Sequence, residues 1–378
     1  MRSPAVRFRR RAAPVAAAIV ATLAAAVLLG CGPAPADDGG TDPGAGGPGR
    51  TVPPTVPDGR PTDVSTGLAA PWSVAFHGDT ALISERDTGT VRELITGGGT
   101  RVVGVIDDVR HSGESGLLGL AVDDAGRLYA YSTGPDGNRI QRFALTGEPG
   151  SLGLGPAETI IDRLPSATFH DGGRIAFGPD GMLYATVGDA GRREAAQDRD
   201  VLAGKILRMT PDGEVPDDNP FPGSLVYSLG HRNPQGLAWA DDGTLFAAEF
   251  GQNTWDELNI IEPGRNYGWP EVEGAAGDDR FVDPVQQWST DRASPSGIVI
   301  IGGTVFVANL RGAVLRAVPV VDPGAAEEFY PGEYGRLRDV VRSPRGELWI
   351  LTNNTDGRGD PGPGDDRLLS VRLTDRER

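Results

Sequence analysis

Four short stretches carry side chains whose types and spacing could do chemistry. In Phe169-His-Asp-Gly-Gly-Arg174, His170 precedes an apolar strand, and an imidazole can accept a proton near neutral pH. His111 and His231 stand in comparable places, so position alone does not choose among the three. In Gly335-Arg-Leu-Arg-Asp339, Arg336 and Arg338 are two apart and share one face of a strand. Two like charges side by side are costly unless an anion lies between them. Paired guanidinium forks point to a small polyanionic ligand, with salt bridges to neighbouring acids as the other reading.

The third stretch is Gly230-His-Arg-Asn-Pro-Gln-Gly236, continued by Glu249-Phe-Gly-Gln252 and Asp256-Glu257. Arg232 and Asn233 stand at a strand entrance. Asp256, Glu257 and backbone carbonyls near Gly251 could hold a hard cation such as Ca²⁺, or the two acids could only fix a turn. The fourth, Arg110-His-Ser-Gly-Glu-Ser-Gly-Leu-Leu-Gly119, has glycines that let backbone approach a ligand, or that serve only a tight turn.

The elements that must position these residues repeat six times. Each copy is a short apolar strand, a Gly-containing turn and a second strand rich in β-branched or aromatic residues. The copies are 72–76 with 81–84, 118–122 with 128–131, 174–177 with 183–187, 236–239 with 245–248, 297–300 with 305–307, and 338–341 with 348–351. Their starts lie about 40 to 60 residues apart, room for four strands each. Asp180-Gly181 and Asp242-Gly243 are hairpin signals. No long segment shows helical apolar periodicity. The pattern predicts an all-β fold, a six-bladed β-propeller with four-stranded antiparallel blades, whose innermost strands and entrance loops face a central channel.

The chain has 378 residues and a formal net charge of −16. Its first thirty read as an export signal: Arg2, Arg7, Arg9, Arg10 and Arg11 precede an apolar run over residues 15–29. The run ends Leu28-Leu29-Gly30-Cys31, and Cys31 is the chain's one cysteine. That order resembles a bacterial lipoprotein signal, which implies removal of residues 1–30 and lipidation of Cys31; an ordinary signal peptide is the alternative. Residues 31–60, Gly/Pro-rich and almost without large apolar side chains, are expected to form a disordered tether, with 61–378 as the propeller. The expected location is extracytoplasmic, held at the membrane through a lipid anchor alone. Loss of residues 1–30 removes five arginines and no acids and takes the formal charge from −16 to −21. So acidic a body argues against nucleic acid or an anionic membrane surface as partner. One cysteine excludes an intrachain disulfide, a cysteine-rich zinc site and a Cys-x-x-Cys-His haem attachment.

Taken in order, a set of short motifs resembles the soluble sugar dehydrogenases that use pyrroloquinoline quinone (PQQ), the glucose/sorbosone and aldose sugar dehydrogenases. The motifs are Gly67-Leu68 with Pro71-Trp72-Ser73, Gly113-Glu-Ser-Gly-Leu-Leu118, His170-Asp-Gly-Gly-Arg174, Gly188-Asp189, Gly204-Lys-Ile-Leu-Arg208 and Asp218-Asn-Pro-Phe221. They continue with Gly230 to Gly236, Asp256-Glu257, Asn266-Tyr-Gly-Trp-Pro270 and Arg336-Leu-Arg-Asp339, so that the likeness covers residues 63–373. It implies PQQ over the channel mouth, its carboxylates held by arginines and its quinone polarised by Ca²⁺. His170 resembles the base that takes the sugar C1 hydroxyl proton while hydride passes to the quinone. Arg232 and Asn233 resemble residues beside the cofactor's reactive carbonyl and carboxylate, and Arg336 and Arg338 its carboxylate clamp. Gly251 and Gln252 fall where backbone carbonyls ligate the Ca²⁺. Trp288 and Thr290 fall near a substrate-side aromatic and a cofactor-contacting hydroxyl, and Arg311 near a cofactor-binding lysine.

Three departures stand out. Phe169 occupies the place of an Asp that orients base and substrate in the glucose enzymes, Glu114 replaces a usual Gln, and Gln252 replaces a Pro. The implied function is PQQ- and Ca²⁺-dependent oxidation of an aldose at C1 to the lactone, with electrons passed to an external acceptor. Phe169 favours a broader aldose preference than glucose. Two other readings remain open. One is a non-catalytic propeller binding module that has lost the cofactor, in whose favour Phe169 and Glu114 speak. The other is a Ca²⁺-dependent lactone hydrolase, which would need a carboxylate ring from residues such as Glu85, Glu114 and Glu249.

Overall fold

The computed structural model describes residues 52–376. The expected signal peptide, Cys31 and residues 31–51 of the expected tether lie outside them. The tether's last residues are a correction: residues 55–60 belong to a strand, β1 (Thr55–Ser65). Pro57 and Gly59 suit an outermost strand, where backbone pairing on one side suffices and a missing N–H costs nothing.

Blade I is β2 (Pro71–His77), β3 (Thr80–Glu85), β4 (Thr90–Leu94) and β5 (Thr100–Val105). Blade II is β6 (Leu117–Val122), β7 (Arg127–Gly134), β8 (Gly137–Thr146) and β9 (Gly153–Leu164). Blade III is β10 (Ile175–Phe177), β11 (Leu183–Val187), β12 (Lys205–Met209) and β13 (Val226–Leu229). Blade IV is β14 (Pro234–Trp239), β15 (Leu245–Glu249), β16 (Trp255–Ile261) and β17 (Gln286–Ser289). Blade V is β18 (Pro295–Ile301), β19 (Thr304–Asn309), β20 (Val314–Pro319) and β21 (Glu327–Phe329). Blade VI is β22 (Leu337–Arg342), β23 (Leu348–Thr352) and β24 (Leu368–Asp375), completed by β1 pairing antiparallel to β24. The first and last strands of the described residues thus close the ring through one sheet.

All six sheets are four-stranded meanders, and the innermost strands touch in the order β2, β6, β10, β14, β18, β22 and back to β2. The six repeats read from the sequence are these β2–β3, β6–β7, β10–β11, β14–β15, β18–β19 and β22–β23 pairs. Asp180 and Asp242 fix two of the hairpin turns by accepting the N–H groups of Met182 and Thr244 at 3.1 and 2.9 Å. Neighbouring inner strands approach closely at Gly236, where a Cβ would lie 2.4 Å from the Ser296 carbonyl. The core is six apolar clusters, one in each blade interface, such as Leu118, Tyr129 and Tyr131 of blade II against Leu183, Leu207 and Val226 of blade III. Burial is shared around a ring, and the inner-strand entrances are left free to carry polar groups. Among the described residues no helix is long and apolar enough to cross a membrane.

Candidate active site

The inner strands all start at one end of the channel, here called the upper end. A cavity of about 210 Å³ opens there, lined by Trp72, Glu114, Gln235, Arg311, Arg336, Arg338 and Arg358 among others. Arg336 precedes β22 and Arg338 lies in it, so the strand's alternation sends both guanidinium groups to the same wall. Asp356, fully buried behind them, accepts Arg336 Nη2 at 3.0 Å, lies 3.8 Å from Arg338 Nη2, and accepts the Arg358 N–H at 2.9 Å. Burial pushes the Asp356 carboxyl up, but the charges of Arg336 and Arg338 outweigh it and hold the group below its ordinary range. Arg338 completes its shell with neutral partners: Gln235 Oε1 at 2.9 Å and Asn353 Oδ1 at 3.0 Å. Burial, with the charges of Arg336 and Arg86, lowers its guanidinium's affinity for a proton against the pull of Asp356. One carboxylate therefore serves two arginines, and Arg336 Nε is buried with no partner. The cup carries four arginines against Glu114 and Asp356, and it can take an anion.

His170 stands at the entrance of blade III. Its backbone is left-handed (φ +59°), which a non-glycine adopts only where surroundings over-determine it. Two glycines allow the loop to lie that close: a Cβ on Gly188 would be 1.9 Å from the His170 carbonyl, and one on Gly172 2.5 Å from that of Thr186. Glu114 Oε2 accepts the His170 N–H at 3.0 Å, and Asn233 Oδ1 accepts that of Gly172 at 3.0 Å. The ring is held as firmly. Its Nδ1 lies 2.7 Å from Asp189 Oδ1, so Nδ1 carries the proton and Nε2 keeps a free lone pair. Asp189 also accepts the Gly191 N–H at 2.8 Å and the Trp269 indole N–H at 2.9 Å. Burial raises the Asp189 carboxyl, but those bonds and the imidazole bring it below its usual range. Phe169 packs edge-on against the imidazole, ring centres 4.6 Å apart, and is 42% exposed.

Arg232 lies over the Trp269 ring at 5.4 Å, and its Nη1 donates to the Phe250 and Gly251 carbonyls. Its Nε is buried and unpartnered. Gly251 has to be glycine, since a Cβ would sit 1.7 Å from the Trp255 carbonyl. Glu273 Oε1 accepts four successive N–H groups from Gln252 to Trp255 at 2.7–3.1 Å and so fixes the loop. The Gly251 carbonyl already faces a cationic group, as a Ca²⁺ ligand would. Asp256 and Glu257 take the turn-fixing role: Asp256 accepts the N–H groups of Gly251 and Ser294, and Glu257 that of Gly274. Among the described residues no group of three or more His, Asp or Glu side chains is arranged to hold a metal. A lactonase-type carboxylate ring therefore does not form: Glu85 instead pairs with Arg92 and Glu249 with His231.

The structure sorts the expected residues. Glu114, Arg311, Arg336 and Arg338 line one cup; His170, Phe169, Asn233 and Arg232 adjoin it through Glu114 and Phe250; Gly251 and Gln252 stand beside Arg232. Trp288 and Thr290 do not line the cup. Trp288 lies on β17, the outermost strand of its blade, with its ring under Arg316 at 4.8 Å in the interface with blade V. Thr290 is in the turn that follows. His231 is fully buried between Ser228 and Glu249, a packing role. Asp189, Asp356 and Arg358 were missed as contributors. Asp189 was visible only as part of a Gly-Asp motif, and Asp356 and Arg358 sit in a Thr-Asp-Gly-Arg run that reads as a plain turn.

A six-bladed propeller with an arginine cup beside a carboxylate-held histidine is the class of protein defined here. A family model described as Glucose / Sorbosone dehydrogenase matches residues 68–361. The PQQ-bound aldose sugar dehydrogenase of Streptomyces coelicolor is 48% identical, with a TM-score of 0.80 over 84% of this chain and all of that one. Quinoprotein glucose dehydrogenase B of Acinetobacter calcoaceticus is 32% identical over 58% of this chain, and the match spans 54% of that protein's length. Aldose sugar dehydrogenase YliI of Escherichia coli is 29% identical over 77% of this chain and 89% of its own. The chain belongs to the glucose/sorbosone dehydrogenase family of PQQ-dependent sugar dehydrogenases.

Proposed function

We propose that the protein oxidises aldoses at C1 to the lactone, with PQQ and Ca²⁺, and passes the electrons to an external acceptor. The observation that carries this reading is the placing of His170, with Nδ1 held by Asp189, next to a cup where one carboxylate serves two arginines. The residues fit the cofactor: Arg336 and Arg232 each have a buried nitrogen lacking an acceptor, and Arg338 bears a charge that its own surroundings do not repay. Arg336 and Arg338 would hold its carboxylates, and the Gly251 and Gln252 carbonyls would hold Ca²⁺. PQQ, when bound, supplies the acceptor for two electrons.

The chain supplies the rest. Asp189 keeps the Nδ1 proton on His170, which leaves Nε2 to take the proton of the sugar's C1 hydroxyl. The same carboxylate stabilises the imidazolium that results. Phe169 shields one edge of the imidazole from water and gives the sugar an apolar surface. With no carboxylate at that position the sugar is gripped by fewer hydrogen bonds, which supports acceptance of several aldoses. We further propose that Cys31 is lipidated outside the cytoplasm; labelling with a radioactive fatty acid should be abolished by Cys31→Ser.

Reconstitution tests the reading. Apoprotein given PQQ and Ca²⁺ should reduce a dye with a panel of aldoses. His170→Ala should bind PQQ yet lose turnover, and Asp189→Asn should lower kcat by about 100-fold or more. An unchanged rate in His170→Ala would remove the base, and no PQQ-dependent absorbance change would leave only a binding module.

A further inference from the structure

A second cavity is larger than the cup. It is a groove of about 1300 Å³ at the opposite end of the propeller, formed by the turns of blades VI, I and II. We infer that this groove binds a carbohydrate chain, at a site separate from the one that would oxidise sugar.

Its chemistry carries the argument. Trp349 from β23 and Phe76 from β2 line it as a pair of tilted rings, centroids 5.8 Å apart, each partly exposed. The Trp349 indole nitrogen and His77 Nδ1 are buried beneath the groove's surface and have no hydrogen-bond partner. The His77 ring lies on Gly126 of the next blade, where a Cβ would be 2.9 Å from Cε1, so only glycine lets it lie there. Asp79 and Asp124 are exposed on the rim, and neither makes a hydrogen bond or ion pair among the described residues. Arg345, on the blade VI turn, is exposed in the same way.

Rings, donors and acceptors are thus interleaved in one groove. A metal ion would use the two carboxylates and leave Arg345 and the aromatic rings idle. A phosphate would use Arg345 and be repelled by Asp79 and Asp124. An apolar ligand would strand all of them. A sugar chain uses every part, because each hydroxyl both donates and accepts while the C–H faces of the rings lie on aromatic side chains. At about 1300 Å³ the groove has more room than a single small ligand requires, as ligand pockets run from about 300 to 1,000 Å³. Its distance from the cup means that a bound chain leaves the upper mouth open. The inference does not depend on the proposed oxidation.

The test uses the full protein loaded with PQQ and Ca²⁺ and sugars that cannot be oxidised at C1. Cellotetraose, xylotetraose, chitotetraose and maltotetraose are reduced to their alditols and titrated calorimetrically. At least one should bind, and the double variant Asp79→Ala/Asp124→Ala should weaken it by about tenfold. These two exposed residues hold nothing in the fold, so the melting temperature and the rate with a monomeric aldose should not change. Trp349→Phe shrinks the aromatic face offered to the sugar and should weaken binding severalfold. No heat with any of the four alditols, or binding equal in the double variant, would overturn the inference. Because the alditols carry no oxidisable C1, failure of the dehydrogenase reading would leave this result untouched.

Discussion

Two buried arginines pack on the same tryptophan and do different work. Arg174 lies 4.4 Å from the Trp72 ring and faces the lumen; Arg338 lies 5.6 Å from it and faces the cup. Each site has an unpartnered nitrogen, Arg174 Nη2 in one and Arg336 Nε in the other, so an orphaned donor does not separate them. The ratio of charges does. Arg174 has a carboxylate of its own, Asp339, at 3.0 Å. Arg338 shares Asp356 with Arg336 and sits 3.8 Å from it. A one-to-one pair is finished as it stands and braces the ring, whereas two cations on one anion remain short of negative charge. That shortage is what marks a binding site.

The contrast breaks first at Asp339. Asp339→Ala strands a buried guanidinium and also removes the acceptor of the Val74 N–H. The expected loss is about 3–5 kcal/mol of stability, read by thermal or denaturant unfolding. A variant as stable as the parent would show that the pair is not structural. At the cup the pattern should invert. Arg338→Met leaves Asp356 still paired with Arg336, so the fold should survive with a smaller loss. What falls is affinity for PQQ, by roughly 10- to 100-fold, the worth of about 1.5–3 kcal/mol for hydrogen bonds to a charged group. Titrating the apoprotein with PQQ and Ca²⁺ by absorbance reads it directly, and an unchanged Kd would remove Arg338 from the clamp.

How much of this was legible follows from the range of each signal. The six blades were, because a strand pair and its turn are local and repeat. Arg336 and Arg338 were, because alternation along one strand fixes their common face. The closing strand was not. Residues 55–60 contain Pro57 and Gly59 and become a strand only by pairing with β24, more than 300 residues away in sequence. Asp189 lies 19 residues beyond the histidine it holds, and Asp356 is brought to Arg336 by a hairpin whose turn residues look ordinary. Trp288 shows the reverse: its type suits a sugar site, while strand order sets it on the outermost strand of its blade, under Arg316. Residue type shows what chemistry is available, and long-range pairing decides where it is delivered.

The smallest expected effect sharpens the charge argument most. Glu114 is the acid in the wall of the cup, accepting the His170 N–H on one oxygen and Arg358 Nη1 at 3.0 Å on the other. Burial pushes its carboxyl up, but the His170 N–H and the Arg358 charge overcome that and leave it below its ordinary 4.5. A depressed acid adds stability that is present above its unfolded pKa and is lost as pH falls through the folded value. Glu114→Gln keeps an acceptor for His170 and deletes the charge. At pH 7 the variant should be less stable by under about 1 kcal/mol, since Arg358 is largely solvated. That gap should close as pH drops below about 4.5. Its affinity for PQQ should move the other way, tighter by a few fold, because the cup has lost a carboxylate and Arg358 is released from its partner. A glutamine variant that is both less stable and weaker for PQQ would mean that Glu114 holds the cup's shape, and the charge ratio would then not be what the cofactor reads.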